Sequence, residues 1–392
     1  MIFQTLDDKS ECIGVYANGV LHFDDYPKDM SVTWKYSGSL HNKAVEYMFL
    51  RTNGKSIEDC CPTQHAEELK TCQNKLKAYL KSFKIAKVNL NDHCIFDLIP
   101  EDFLVRFCEV KNKITEHVYY NYERPPNYEH LDSVQQLIHK IKYQKLNLSI
   151  SDCRHLMTTT RERQKVKLLL SQYNSIDYNI FGTITGRLTT NSDSFPILTL
   201  KKELRQMIKP NNDLFVCLDY NGAEVRTLLD LCDQQQPDED IHSWNSKHLF
   251  EQEVTREECK VRFFAWLYDP TSDDVKSNQY DRKKVLDKWY SQGYINTPYG
   301  RKIEVEERKA LNYLLQSTTS DRVLAKAVEI DKFLVDNKCK SYISHIVHDE
   351  IVLDYDDNDR ALIEQIKEIF EDGYLCNLSA GKDYYNLKEL KL

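Results

Sequence analysis

The sequence predicts an α+β protein, and three stretches carry that prediction. Phe215-Val216-Cys217-Leu218-Asp219 is an apolar run rich in strand formers; Asn221-Gly222 breaks it, and Val225 to Leu231 resumes at helical spacing. A strand therefore delivers one carboxylate to its exposed end. Ile346-Val347-His348-Asp349-Glu350-Ile351-Val352-Leu353 sets three polar residues, two of them acidic, between apolar β-branched runs, which predicts a tight hairpin with charge at its tip. Helical spacing dominates residues 62 to about 175 and again Glu307 to about Asp336.

An Asp at a strand end is commonly a helix cap or a solvated loop residue. Carboxylates flanked by strand residues are another matter, because holding them together is costly unless a cation neutralises them. The simplest such cation is a metal. With 392 residues the chain has room for two or three domains. It contains no apolar run of about 18 residues, and Met1 to Ser10 lacks the regions of a signal peptide, so a soluble, cytoplasmic protein without membrane contact is expected. Its 12 cysteines include no Cys-x-x-Cys pair, and Cys60-Cys61 are adjacent, which indicates neither a zinc site nor a disulfide framework. The net charge of -8 is unevenly spread: residues 61 to 175 hold 18 Lys and Arg against 13 Asp and Glu, a local excess of +5. Steering of a polyanion depends on the local field and not on net charge, although ordinary helical charge patterning gives a similar count.

With Asp219, Tyr220, Glu224 and Arg226 in one segment and His348, Asp349 and Glu350 in the other, the sequence resembles the family A DNA polymerases. The resemblance implies a right-hand polymerase fold, with an antiparallel palm sheet and helical fingers and thumb. It further implies that Asp219 and Asp349, with Tyr220, hold two Mg²⁺ ions, Mn²⁺ being an alternative. Glu350 and Lys260 then join Asp219 and Asp349 as catalytic residues.

In chain order, residues 1–60 are a small β-containing segment in which Asn18-Gly19, between Cys12–Ala17 and Val20–Phe23, is a strong hairpin signal. Ser31–Tyr36 is a further strand candidate. No Asp-x-Glu exonuclease motif is found there, so no proofreading activity is expected in this chain. Residues 61–175 take the thumb position: a Lys-rich helix from Pro62 to about Phe83, a break at Pro125-Pro126, a helix from about Leu131 to Tyr143, and a basic face at Arg161–Lys167. Residues 176–245 and 297–392 are expected to form the palm, and 246–296 a shortened fingers region.

The loop Thr185-Gly186-Arg187-Leu188 lies just upstream of the Asp219 strand, which by resemblance assigns Arg187 to primer-template DNA. Glu224 stands at the family's steric gate, where a buried carboxylate excludes a ribose 2′-hydroxyl and selects dNTPs. His242 in Asp240-Ile241-His242 is a candidate phosphate donor. Arg256, Lys260, Phe264 and Tyr268 recur every four residues, so all four share one broad helical face. By resemblance Arg256 and Lys260 bind dNTP phosphates, Phe264 the sugar, and Tyr268 guards the template base. The alternative is an amphipathic helix whose Phe264, Trp266 and Leu267 fill a core. The family's Gly after the Tyr is here Asp269, then Pro270, which ends the helix abruptly. Thr297–Lys302 resembles a family turn. Arg308, Asn312 and Gln316 share a face of the following helix and, with His348, are expected on the DNA.

The sequence thus predicts a template-directed DNA polymerase acting on dNTPs, of a size that suggests phage or mobile-element replication in an infected cell, with a separate exonuclease or processivity factor as possible partners. A catalytically silent DNA-binding replication subunit is the alternative from another class; a single-subunit RNA polymerase is disfavoured by Glu224.

Overall fold

The run ending at Asp219 forms the strand Leu214–Tyr220, the middle member of a five-stranded sheet. Phe215 to Leu218 are all buried, without alternation, as expected for a central strand covered on both faces. The order across the sheet is Tyr342–Val347, Glu350–Tyr355, Leu214–Tyr220, Cys376–Gly381 and Lys388–Glu389, and every pairing is antiparallel. Register places Asp219 opposite Glu350 on one side and opposite Asn377 on the other.

Val347 pairs with Glu350, so His348 and Asp349 are the two turn residues of the predicted hairpin. Two-residue hairpin turns need a left-handed residue at the first position, commonly Gly or Asn. His348 fills it with φ 57°, a conformation that costs a non-glycine residue free energy. Gly222, with φ 70°, ends the central strand and starts the helix Ala223–Leu231. A side chain at Gly222 would meet Ile241 Cγ2 at 2.4 Å, so the turn is closed to larger residues.

This computed structural model describes residues 2–8, 11–23, 32–33, 46–90, 93–173, 175–191, 194–250, 254–269, 271–272, 274–275, 277 and 279–390. They form two compact units, Met1–Asp132 and Ser133–Leu392. The palm-like sheet lies wholly in the second. There the helix Glu307–Asp336 is buried almost continuously from Leu314 to Ala327, and its Thr319 hydroxyl hydrogen-bonds Thr227 at 2.8 Å. Thr160–Gln172 carries the basic face expected from sequence and is closed by a Thr159/Glu162 capping box. No helix among the described residues is long and apolar enough to cross a membrane.

In the first unit the Asn18-Gly19 turn has φ of 53° and 81°, as a type I′ hairpin requires, and joins Glu11–Ala17 to Val20–His22. Those two strands, with Ile2–Asp8, are antiparallel, whereas Val32–Thr33 and Glu46–Tyr47 extend the same sheet in parallel. The remainder of the Ser31–Tyr36 candidate lies outside the described residues. Thr63–Ile85 follows Pro62 as expected and packs Leu69 and Cys72 against Phe103, Val110 and Ile114 of Glu101–Asn121. That second helix had no boundary of its own in the sequence reading; Pro100, at its N-cap, is the signal that marks it.

Candidate active site

The strand end, the hairpin tip and the helix Arg256–Tyr268 open onto one cleft of about 420 Å³. Asp219 and Asp349 lie on its wall together with Arg187, Glu224, His242, Arg256, Lys260, Phe264 and His348. Residues up to 190 positions apart in sequence, Arg187 and Asn377, thus share one site.

Its acidic part is electrostatically strained. Burial, then the charges of Asp349 and Glu350, push the Asp219 carboxyl up to about 7. Glu350 is also raised, chiefly by burial, and its Oε1 is buried without a hydrogen-bond partner among the described residues. Missing positive charge is what such a grouping signals. Among the described residues no cluster of three or more His, Cys, Asp or Glu side chains forms a complete cage. Hard carboxylate oxygens from two side chains nevertheless fit Mg²⁺, which usually keeps several waters and takes its remaining ligands from substrate phosphates. Tyr220 can contribute only its carbonyl oxygen, since its ring stacks on Phe370 at 4.0 Å and its hydroxyl donates to the Phe370 carbonyl at 2.5 Å.

The basic part is built by the helix Arg256–Tyr268, and both sequence readings of it hold in part. Cys259, Phe263, Trp266 and Leu267 are its buried face, which leaves Arg256, Lys260, Phe264 and Tyr268 on the other. Phe264 is half-buried, its ring 6.0 Å from both His242 and Tyr268. Lys260 is exposed and has no carboxylate partner among the described residues. Arg256 is held by Asp240 through two bonds, Nε to Oδ1 at 3.0 Å and Nη2 to Oδ2 at 2.9 Å. Asp240 also accepts from Asn221 Nδ2 at 2.8 Å and caps the helix Ile241–His248 through the Ser243 N–H. That density of donors holds its carboxyl far below the usual range. His242 is buried, its Nδ1 has no hydrogen-bond partner among the described residues, and burial lowers its pKa.

Glu224 is bracketed by the Arg187 guanidinium and the Tyr268 hydroxyl, both hydrogen-bonded to its carboxylate. Arg187 is positioned from beneath. Gly186 has φ 78°, and a Cβ there would lie 2.4 Å from Arg301 Nη2. Arg301 in turn pairs with the fully buried Asp321 at 2.6 Å, and Ser320 donates to the Gly186 carbonyl at 3.1 Å. Arg226 is completely buried and ties the strand-to-helix turn to the carbonyls of Pro237 and Glu239 at 2.9 and 2.8 Å. Arg308, Asn312 and Gln316 do not line the cleft: Arg308 is exposed beside Glu306, and Gln316 donates to Asn312. Asp240, Asn221, Arg301 and Asp321 were not singled out as site residues from sequence, although the first three stand inside motifs that were.

An antiparallel sheet presenting acidic residues to a cleft faced by a cationic helix defines the right-hand polymerases. Comparison with known proteins agrees. No family model matches the chain. It is 21% identical over 274 residues to DNA polymerase I of Chloroflexus aurantiacus, an alignment covering 55% of this chain and 29% of that protein. With DNA polymerase I of Pseudomonas aeruginosa it shares 23% identity over 236 residues, 47% of this chain and 26% of the relative. The chain therefore spans less than a third of the length of these curated relatives. In structure it is similar to the POL domain of Pol1 from M. smegmatis, solved in complex with DNA primer-template and dNTP, with a TM-score of 0.55 and 14% identity over 73% of this chain and 76% of that one. In sequence the chain is thus similar to DNA polymerases I, and in fold to the polymerase domain of one of them.

Proposed function

We propose that this chain is a template-directed DNA polymerase that adds dNTPs to a primer 3′-hydroxyl. The observation that carries the reading is the pairing of Asp219 and Asp349 with Arg256 and Lys260 around one cleft. In-line attack on an α-phosphorus needs a counter-charge at the attacking oxygen and another for the leaving pyrophosphate, and those are the two kinds of group this cleft supplies.

Asp219, Asp349 and the Tyr220 carbonyl would hold two Mg²⁺ ions, with Mn²⁺ as a substitute, and bound metal supplies a lowered pKa for the 3′-hydroxyl and neutralisation of charge on the leaving oxygens. Arg256 and Lys260 bind the β- and γ-phosphates as charge-assisted donors, and Lys260 gives a proton to the departing pyrophosphate. Phe264 packs on the sugar. Glu224, held rigid by Arg187 and Tyr268, leaves no partner for a 2′-hydroxyl and so excludes ribonucleotides. Arg187 and His348 contact the primer-template near the growing end. Arg308, Asn312 and Gln316 reach duplex further from the chemistry, reading acceptors that all correct base pairs offer in the minor groove. The helices within 61–175 serve as the thumb, 246–296 as short fingers, and the sheet-bearing segments 176–245 and 297–392 as the palm. No proofreading is assigned to these 392 residues, whose first 60 lack an Asp-x-Glu pair.

Primer extension tests this directly: a labelled primer-template with Mg²⁺, dNTPs against NTPs, and wild type against Asp349→Ala. Extension with dNTPs alone, abolished by the substitution, is the expected result. A wild-type chain that binds duplex and extends nothing would overturn the reading in favour of a binding subunit.

A further inference from the structure

The two cations on the cleft side of the helix Arg256–Tyr268 differ in one respect. Lys260 is exposed and has no carboxylate partner among the described residues, whereas every guanidinium nitrogen of Arg256 already donates to a carboxylate. Nε and Nη2 bind Asp240 at 3.0 and 2.9 Å, and Nη1 binds Glu257 at 2.6 Å. The Glu257 side chain is 75% exposed, and an ion pair in that setting contributes little. The Asp240 side chain is 27% exposed and meets the guanidinium through two bonds, the geometry in which arginine holds a carboxylate best. Arg256 lines the cleft and Asp240 does not.

The two partners of this pair are held unequally. Apart from Arg256, the Asp240 carboxylate accepts from the Ser243 N–H at 2.8 Å, the Ser243 hydroxyl at 2.9 Å and Asn221 Nδ2 at 2.8 Å. Asn221 is itself fixed, its Oδ1 accepting from the Ile241 N–H at 2.8 Å. The carboxylate therefore keeps its place when the arginine leaves. Arg256 is a long, exposed side chain at the first position of its helix and is free to swing away. A polyphosphate entering the cleft meets Lys260 as a bare cation and Arg256 as a neutralised one, and it gains Arg256 only by displacing Asp240. An affinity that depends on such an exchange is lowered by the fraction of molecules in which the binding group is available.

We propose that Asp240 is an internal competitor for the phosphates of the incoming nucleotide: it holds Arg256 until a triphosphate arrives, releases it to the phosphates, and reclaims it as pyrophosphate departs. Asp240 thereby sets nucleotide affinity without touching the nucleotide. The inference rests on the polymerase reading above.

The test compares wild type, Asp240→Asn, Arg256→Ala and the double variant in the full chain. Asn keeps the helix cap and removes the charge. Three constants are read: KM for dNTP in primer extension, the inhibition constant of pyrophosphate, and the Kd of inorganic triphosphate for the metal-free protein by isothermal titration calorimetry. Asp240→Asn is expected to lower all three by about 3- to 10-fold, the scale of a partly exposed two-bond pair. A tighter site is a change that simple loss of structure would not produce. In the Arg256→Ala background the same substitution should change none of them, since the carboxylate acts only through that guanidinium. Constants that stay the same or rise in Asp240→Asn would overturn the proposal. So would an equal gain in the Arg256→Ala background, which would reduce Asp240 to a negative charge near the cleft. Should Asp240→Asn fold poorly, Asp240→Ser keeps a cap without the charge and gives the same readings. If wild type extends no primer, the polymerase reading fails, and the triphosphate titration still decides whether Asp240 masks Arg256.

Discussion

Asp219 and Glu350 are directly opposed on neighbouring antiparallel strands, and Asp349 follows at once in the turn. Like charges set side by side across a strand pair are destabilising. Sheet geometry therefore creates a need for cations at the same point where it creates the site.

Removing one of the paired cleft aspartates, Asp219 or Asp349, should abolish extension while leaving duplex binding intact. Asp219→Asn is expected to lower kcat by about 10³-fold, the scale seen when a principal electrostatic group is lost. Rapid-quench turnover together with a duplex-binding titration checks it.

The same carboxyl gives the metal-free protein a pH signature. Its folded pKa of about 7 exceeds the ordinary value of 3.8, so the neutral form is favoured on folding. The stabilisation is fully present below about pH 4 and is lost as pH rises through about 7. In EDTA, Asp219→Asn should then be more stable than wild type at pH 8, by up to about 4 kcal/mol, and equal to it near pH 4. Urea unfolding at the two pH values is the measurement, and added Mg²⁺ should shrink the difference.

The exposed Arg256 guanidinium becomes available to a triphosphate once its contacts with Asp240 and Glu257 rearrange. Arg256→Ala is expected to raise KM for dNTP about 10- to 100-fold, the worth of one or two charge-assisted hydrogen bonds, with primer-template affinity unchanged. Steady-state kinetics at saturating duplex would show it, and an unchanged KM would remove Arg256 from the nucleotide site.

Glu224→Ala should relax sugar selection. The ratio of kcat/KM for dCTP over CTP is expected to fall at least about 10²-fold, with the larger part of the change in CTP. Competition assays on one primer-template measure the ratio without separate enzyme titrations.

Gly186→Ala places a methyl against the Arg301 guanidinium in a left-handed backbone. A loss of about 1–3 kcal/mol is expected. Thermal unfolding reads it, and any accompanying weakening of duplex binding would report the displacement of Arg187.

What could be read from the sequence was whatever repeats locally. The strand into Asp219, the two-residue tip at His348 and Asp349, and the four-residue spacing from Arg256 to Tyr268 each follow from the period of one element, and each lies where that period puts it. Contacts between elements leave no such trace. The clamp of Asp240 on Arg256, the Arg301–Asp321 pair under Gly186 and the contact of Arg205 with the Tyr384 hydroxyl join residues 16, 20 and 179 positions apart, with no pattern in any one segment to announce them. The helix Glu101–Asn121 escaped for a different reason: its surroundings already read as helical, and only Pro100 marks where it starts.

The order of the palm-like sheet has a consequence for how the molecule comes into being. Leu214–Tyr220 lies at the centre, but its two neighbours, Glu350–Tyr355 and Cys376–Gly381, are made more than a hundred residues later. On the ribosome one edge of that strand stays bare until synthesis has passed Tyr355 and the other until it has passed Gly381. Non-local pairings of this kind fold slowly, and bare strand edges invite aggregation. At about 5–20 residues per second the wait lasts on the order of ten seconds, which makes nascent chains halted before Gly381 the ones most in need of a chaperone.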